Sequence, residues 1–426
     1  MALLLPAGLI LICGCGLAGR RPARSAVAGL GALALAAVGF WASGFAFHLG
    51  GVGLVTPARG LDGLIWEWAS PLNLDWGVLG LRGFFMLGEA ATPPALALFL
   101  AYLPAVAIAV LLPMLSLRER LPGWMAALAG LLLAALVYPI AGNWFSGGGW
   151  LMHVGQTLGL GHGYVDMSGI SSAAVVGSVS ALLGIALFGR RLPPLAPGEQ
   201  AGLPPLALPV MAVLGAVLVL IGGAALPAAN PIHLAGDLPL AQAVVCMILA
   251  AAGGALLPSL YTWFTAGAAD SLLAARGAAA GLLAAAAAAP LIPPWAALAL
   301  GAVAGLLVPL FTYLLQVVLR IDDSTGAVTV GLSGGVLGVL APGLFADGRF
   351  GQGWNQVGTQ DYLGIAGQGV TGLIPAPGFA VDWPGQLNAQ LLGLAAIAAL
   401  TVLLVGTLFL VLRIVMIWWH HVPEEE

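Results

Sequence analysis

Asp166 and Asp323 are the two acids of this chain with the clearest capacity for chemistry inside an apolar setting. Each heads a run of small and apolar residues, "DMSGISSAAVVGSVSALLGIALFG" from Asp166 and "DSTGAVTVGLSGGVLGVLAPGLFA" from Asp323. A shift of 157 positions superimposes the runs, pairing Asp with Asp, Gly169 with Gly326 and Gly177 with Gly334. An acid at a helix start accepts hydrogen bonds from free backbone N–H groups and meets the positive end of the helix dipole. Two roles are therefore open for Asp166: an N-cap at the membrane interface, or a group that attracts and orients a cation. Asp323, beside Asp322 and near Arg320, reads as the inner helix cap. Eight residues beyond each acid, about 12 Å along a helix and near the middle of a ~30 Å hydrocarbon slab, stand Ala174 and Gly331. Both are small, so they permit close helix approach or leave space along a path.

The elements that carry these residues are membrane helices. The chain of 426 residues is 61% hydrophobic and 7% charged, with a mean hydropathy of +1.04, far from the roughly 25% charge of soluble domains. Apolar stretches long enough to span fall at about 2–18, 27–49, 94–116, 122–141, 167–188, 206–226, 238–264, 272–291, 295–319, 327–345 and 388–418. The expected fold is an all-α polytopic membrane protein of about eleven transmembrane helices, with a short inner tail over 419–426. Residues 1–418 form one transmembrane domain, with repeat A at about 2–188, repeat B at about 206–345 and the last helix after them. The second acid comes five spans after the first, which inverts the second copy in the bilayer, and transport proteins with such repeats work near the midplane.

All 13 basic residues are Arg. Ten (Arg20, Arg21, Arg24, Arg118, Arg120, Arg190, Arg191, Arg276, Arg320, Arg413) fall on one side and Arg59, Arg82 and Arg349 on the other, which places the amino terminus outside and the carboxyl terminus in the cytoplasm. The first segment has its Arg cluster after it, so it reads as a retained span and not a cleaved signal. Cys13, Cys15 and Cys246 lie in spans and read as small hydrophobes, giving no disulfide, metal site or cofactor. The thin charge of -4 suggests no nucleic-acid partner. His48, His153, His162 and His233 fall at or beyond outer span ends and His420 and His421 in the inner tail, so a His relay at the midplane is not expected. P-loop, HExxH and GxSxG motifs are missing, and no enzyme is expected. The loop 346–386 is long and Gly-rich, either a packed outer connection or a lid.

Several motifs in order resemble the ammonium transporter/Rhesus protein family. "LPAGLILICGCGLAGRRPARSAV" is similar to its first helix, "SLRERLPGWM" to its Ala-Glu-Arg turn, and "VYPIAGNWFSGGGWL" to its Gly-Gly-Gly-Trp-Leu loop. "VDMSG", "RIDDSTGAVTVGLSGGVLG" and "PGQLNAQLLG" stand at its Asp-rich and Gln-rich motifs. The resemblance implies an integral protein of a prokaryotic plasma membrane, a homotrimer in the lipid bilayer, and a pore in each subunit for ammonium or ammonia. A regulatory or membrane partner subunit stays open. Asp166 matches the family's vestibule acid. The pore-lining His pair falls on Ala174 and Gly331. The vestibule Trp falls on Ser146, with Trp144 beside it, and the second residue of the Gly-His pair is Asn143. The gating Phe falls near Ala105, with Phe99 and Tyr102 as substitutes. Asn230 stands at the vestibule Ser. The departures cluster in the pore while scaffold motifs remain, which leaves three readings: a divergent ammonia channel without a His relay, a non-conducting structural or sensory subunit, or a channel for another small solute.

Overall fold

A computed structural model describes residues 1–16, 22–56, 59–69, 76–189, 207–234 and 238–421. Eight helices among them are long and apolar enough to cross a membrane: α2 (Ala26–Val55), α3 (Pro93–Leu117), α4 (Gly123–Ser146), α5 (Ile170–Phe188), α7 (Leu240–Ala266), α9 (Pro294–Val318), α10 (Ala327–Phe345) and α11 (Gly385–His421). Three shorter apolar helices complete the set, α1 (Leu4–Cys15), α6 (Ala207–Ala224) and α8 (Ser271–Ala286). Each expected span thus has its helix. Arg20, Arg21, Arg190, Arg191 and the tail 422–426 lie outside the described residues, as do the side chains of Arg24, His233 and His420.

Local chemistry sets the ends. Thr92 caps α3 by accepting from the Ala95 N–H at 3.4 Å, with Pro93 in the first turn, where its missing donor costs nothing. Asp270 caps α8, accepting from the N–H groups of Leu272 and Leu273 at 2.8 and 3.1 Å. Short π-helical turns interrupt three spans, at Phe40–Gly44, Leu133–Val137 and Leu314–Val318.

Helix pairing repeats after five helices. α2 packs on α3 and α4, as α7 packs on α8 and α9; α3 packs on α5 as α8 packs on α10. Packing is backbone to backbone where glycines recur every fourth residue. A Cβ on Gly277 or Gly281 of α8 would strike the backbone of Gly254 or Ala250 in α7, and one on Gly301 or Gly305 of α9 would do the same.

α5 and α10 carry the symmetry most closely. Both have 19 residues, and their first and last residues are each 157 apart. Both follow a left-handed Gly, Gly169 at φ 67° and Gly326 at φ 73°. They run antiparallel across each other: Gly331 faces Ser178 and Ala174, Gly335 faces Ala174 and Ser171, and Gly338 faces Ser171. At the end of the bundle that the Arg distribution marks as outer, a collar holds the hairpin β1 (Glu67–Ala69) and β2 (Gly77–Gly80), a short helix Trp150–Leu158, and the 346–386 loop with the small hairpin β3 (Asp361–Tyr362) and β4 (Ile365–Ala366).

Candidate functional site: an outer cavity above a closed helix crossing

Asp166 is set in place from two sides. Its own turn is the first: Oδ1 accepts from the Gly169 N–H at 2.9 Å, and Oδ2 from the Ser172 N–H and hydroxyl at 2.8 and 2.7 Å. With the Ser172 proton so engaged, Tyr164 donates its hydroxyl to Ser172 Oγ at 2.8 Å. The second side is α11. Gln386 and Gln390, four residues apart on one helix face and both fully buried, clamp the extended segment leading to Asp166. Gln386 accepts from the His162 N–H and donates to the Gly163 carbonyl; Gln390 does the same to both backbone groups of Val165, all at 2.8 to 2.9 Å. They act as a strand partner would, satisfying backbone groups in a segment with no ladder. Burial raises the Asp166 carboxyl above the usual range, opposed by the hydrogen bonds from Ser172, Gly169 and Ser168.

A cavity of about 230 Å³ opens above this carboxylate. Tyr102, Ser146, Asp166 and Asn230 all line it, with Phe145, His153 and the turn 352–356 of the outer loop on the other walls. The Asn230 amide donates to the Tyr102 hydroxyl at 3.4 Å, and Tyr102 is also hydrogen-bonded to Ser146. The turn is fixed from below and from the side: Asn355 donates to the His162 carbonyl at 2.8 Å and Gln156 to the Asn355 carbonyl at 3.0 Å. Asn355 and Gln356 hold left-handed backbone at φ 51° and 61°, which non-glycine residues adopt at a cost. The 346–386 loop is therefore a packed wall of the cavity.

Phe99, Asn143 and Trp144 are not among the cavity-lining residues. Phe99 stacks on Phe40 at 5.1 Å between ring centres. Asn143 is fully buried and donates to the His48 carbonyl at 3.2 Å. Trp144 donates its indole N–H to the Val78 carbonyl at 3.1 Å, tying α4 to the outer hairpin. Asn143 also holds Glu67 of that hairpin, whose carboxyl sits in a niche formed by Gly51, Gly77 and Gly148; burial pushes it up to about 7, against the pull of the Asn143 hydrogen bond.

Ala174 and Gly331 meet where α5 and α10 cross. A Cβ on Gly331 would lie 2.7 Å from Ser178 Cβ, 3.0 Å from Leu112 Cδ1 and 3.1 Å from the Ala174 carbonyl. Leu112 of α3 thus fills the angle between the two helices. Ala105, Ile108, Leu112, Ala174 and Ser178 all have 0% exposure, whereas a lumen wide enough for water would leave its lining accessible. The path between cavity and crossing, ten residues or about 15 Å along α3, is closed in this conformation.

Asp323 repeats the Asp166 cap at the other end of the bundle. Its Oδ2 accepts from the Thr329 N–H at 2.8 Å, six residues on, as Ser172 is from Asp166. Its surroundings differ. Arg276 donates to the Ser324 carbonyl, Arg120 to the Asp322 carbonyl at 2.8 Å, and Ser116 and Thr325 share a hydrogen bond at 3.2 Å.

His48 stands at a span end, in the last turn of the segment Phe45–Leu49 before the Gly50–Gly51 turn, as the sequence places it. It is nevertheless fully buried, with Nε2 2.8 Å from Ser146 Oγ.

An all-helical bundle with an inverted pair of crossing helices beneath an outer cavity defines the class of a polytopic membrane transport fold. The chain belongs to the Ammonium Transporter Family, whose profile matches residues 7–426. It is 28% identical over 284 residues to ammonium transporter Amt2 of Archaeoglobus fulgidus, covering 66% of this chain and 60% of that protein. It is 28% identical over 280 residues to a putative ammonium transporter of Synechocystis, covering 64% and 60%. The matched stretches thus span about 60% of the length of these relatives. Among solved structures it is similar to a Sensor Amt Protein, with a TM-score of 0.73, 19% identity and coverage of 97% of this chain and 90% of that one. Saccharomyces cerevisiae Mep2 gives a TM-score of 0.68 at 19% identity, covering 99% and 87%. These likenesses show the fold.

Proposed function

We propose that this protein captures ammonium in the outer cavity and passes ammonia across the membrane, as a homotrimer with its amino terminus outside. The observation that carries the reading is the convergence of Tyr102, Ser146, Asp166 and Asn230 on one cavity, from four separate parts of the chain. A buried carboxylate gives that cavity a negative field, and Tyr102, Phe145 and Trp354 put aromatic rings in its lining, the residue types that bind cations by cation–π contact. Moving the bare charge further would cost many kcal/mol in an apolar medium, so the neutral base is what continues inward. At Ala174 and Gly331, read as the family's His positions, no side chain offers a hydrogen bond to it. Passage requires Leu112 to move from the crossing.

The close packing of Leu112, Ala174 and Gly331 favours a second reading, an ammonium-binding subunit that does not conduct. Purified protein in vesicles under an ammonium gradient separates the two. Internal pH changing faster than in empty vesicles supports transport; ammonium binding without such a change removes it in favour of the second reading.

A further inference from the structure

The inverted repeat relates the two ends of the bundle, and the side chain that packs on the repeat glycine differs between them. At the outer end a Cβ on Gly169 would lie 3.5 Å from two carbons of the Tyr102 ring, which reaches in from α3 and lines the open cavity. At the inner end the group over Gly326 is the guanidinium of Arg276, carried by α8, the helix that corresponds to α3. Arg276 is only 5% exposed. Two glycines make its slot: a Cβ on Gly326 would strike Nε, and one on Gly16, at the end of α1, would strike Nη2. Nη2 donates to the Ser324 carbonyl. Buried Nε has no hydrogen-bond partner, and Arg276 takes part in no ion pair among the described residues. A cation inside a membrane bundle is costly to keep, and one retained without an ion pair points to a use for its charge.

We propose that Arg276 is the charge barrier at the inner mouth of the path, excluding cations and letting the neutral base through. This rests on the transport reading of the outer cavity and names the residue that sets selectivity at the far end. The repeat locates the mouth: as Tyr102 overlies the turn of Asp166 at the outer end, Arg276 overlies the turn of Asp323 at the inner one. A guanidinium keeps its charge and repels a cation arriving from either side, whereas ammonia carries no charge to be repelled. The neighbouring carboxylates offset it only in part. Asp323 is 1% exposed, and its oxygens accept from its own turn, Oδ1 from the Thr325 hydroxyl at 3.2 Å and Oδ2 from the Thr329 N–H at 2.8 Å. Asp322 lies against a different cation, its carboxylate 3.9 Å from Arg120. The ends of the path are therefore opposite in character: a carboxylate and a phenol hold ammonium at the outer end, and a guanidinium rejects it at the inner one.

The test compares Arg276→Gln, which keeps a donor for the Ser324 carbonyl, with Arg276→Lys, which keeps the charge, both in the full chain. The first readout needs no flux. Cys13 of α1 lies within electrostatic reach of both Arg276 and Asp323, and its reaction rates with cationic trimethylammonioethyl methanethiosulfonate and neutral methyl methanethiosulfonate are measured in nanodiscs, in a Cys15→Ser, Cys246→Ser background. Arg276→Gln is expected to raise the ratio of cationic to neutral rates about 10-fold, and Arg276→Lys to leave it at the wild-type value. A ratio unchanged by Arg276→Gln overturns the proposal, as does a Cys13 that reacts in neither protein, since no mouth then lies behind the guanidinium. A ratio raised equally by Arg276→Lys shows a steric plug and overturns the role of the charge. In vesicles, wild type and Arg276→Lys should show ammonia flux without an ammonium-dependent current, and Arg276→Gln a current about 10-fold above theirs. A wild-type protein without flux removes the transport reading, while the thiol ratio still decides the role of Arg276. Arg276→Met serves if Arg276→Gln fails to fold.

Discussion

The starts of α5 and α10 are the same device in two settings. At each, an Asp carboxylate accepts from the backbone N–H six residues on, at 2.8 Å, across a left-handed glycine. Around Asp166 the neighbours are hydroxyls, amides and open volume. Around Asp323 they are guanidinium groups closing on loop carbonyls. A motif that caps a helix thus becomes a candidate cation site only where the rest of the fold leaves space above it.

Substitution at the two acids tests the two settings most directly. Removing either carboxylate as Asp166→Ala or Asp323→Ala leaves buried donors unpaired and is expected to cost about 2–4 kcal/mol, read as a lowered midpoint of thermal unfolding in detergent. Asn at each position separates cap from charge: Asp166→Asn should weaken ammonium binding while Asp323→Asn leaves it unchanged, and equal losses would erase the distinction between the ends.

The crossing between them comes next. Leu112→Ala is expected to destabilise by about 2–5 kcal/mol, since the leucine is fully enclosed, and to raise ammonia flux in vesicles. Unchanged flux would show that another group closes the path. Gly331→Val forces atoms against Ser178 and Ala174 and should cost about 1–3 kcal/mol.

A smaller effect is expected at Asn230. Its long 3.4 Å bond to Tyr102 predicts a stability loss near 0.5–1 kcal/mol for Asn230→Ala, with a clearer loss of ammonium affinity in a binding titration.

The pH profile of the outer collar adds a check in two directions. Burial holds Glu67 at about 7, above its unfolded value, so its contribution is fully present below pH 4.5 and is lost as pH rises toward 7. His162, with both ring nitrogens unpartnered among the described residues, is held down to about 4 by burial. Its contribution is present above pH 6.5 and lost as pH falls toward 4. Glu67→Gln should remove the first slope from a thermal-unfolding series and leave the second.

Much of the scaffold was legible because membrane helices announce themselves by length and apolarity. The 27–49 segment ends where the regular helix does, at Leu49 before the Gly50–Gly51 turn. That His48 in its last turn is buried and not interfacial depends on the helices and collar packed around it. Gln386 and Gln390 were seen as a Gln-rich helix start; that they hold the segment before Asp166 needed the contact across 225 residues. Phe99, Asn143 and Trp144 stand within three residues of Tyr102 or Ser146 in sequence yet do not line the cavity, because a helix turns 100° per residue and a small shift in position sends a side chain to another face.

What the sequence alone determined is local. An Asp, a glycine able to take positive φ, and a hydroxyl residue six positions on specify a capped helix, and the same spacing twice specifies two of them. Apolar runs of about 20 residues specify spans whatever they pack against. Tertiary structure decided the rest: that Leu112 occupies the crossing of α5 and α10, that the turn 352–356 walls the cavity, and that His48 lies one hydroxyl from it. Those depend on side chains brought together from distant parts of the chain, where small residues let backbones approach and a single missing Cβ, at Gly142 or Gly331, sets which group fills the gap.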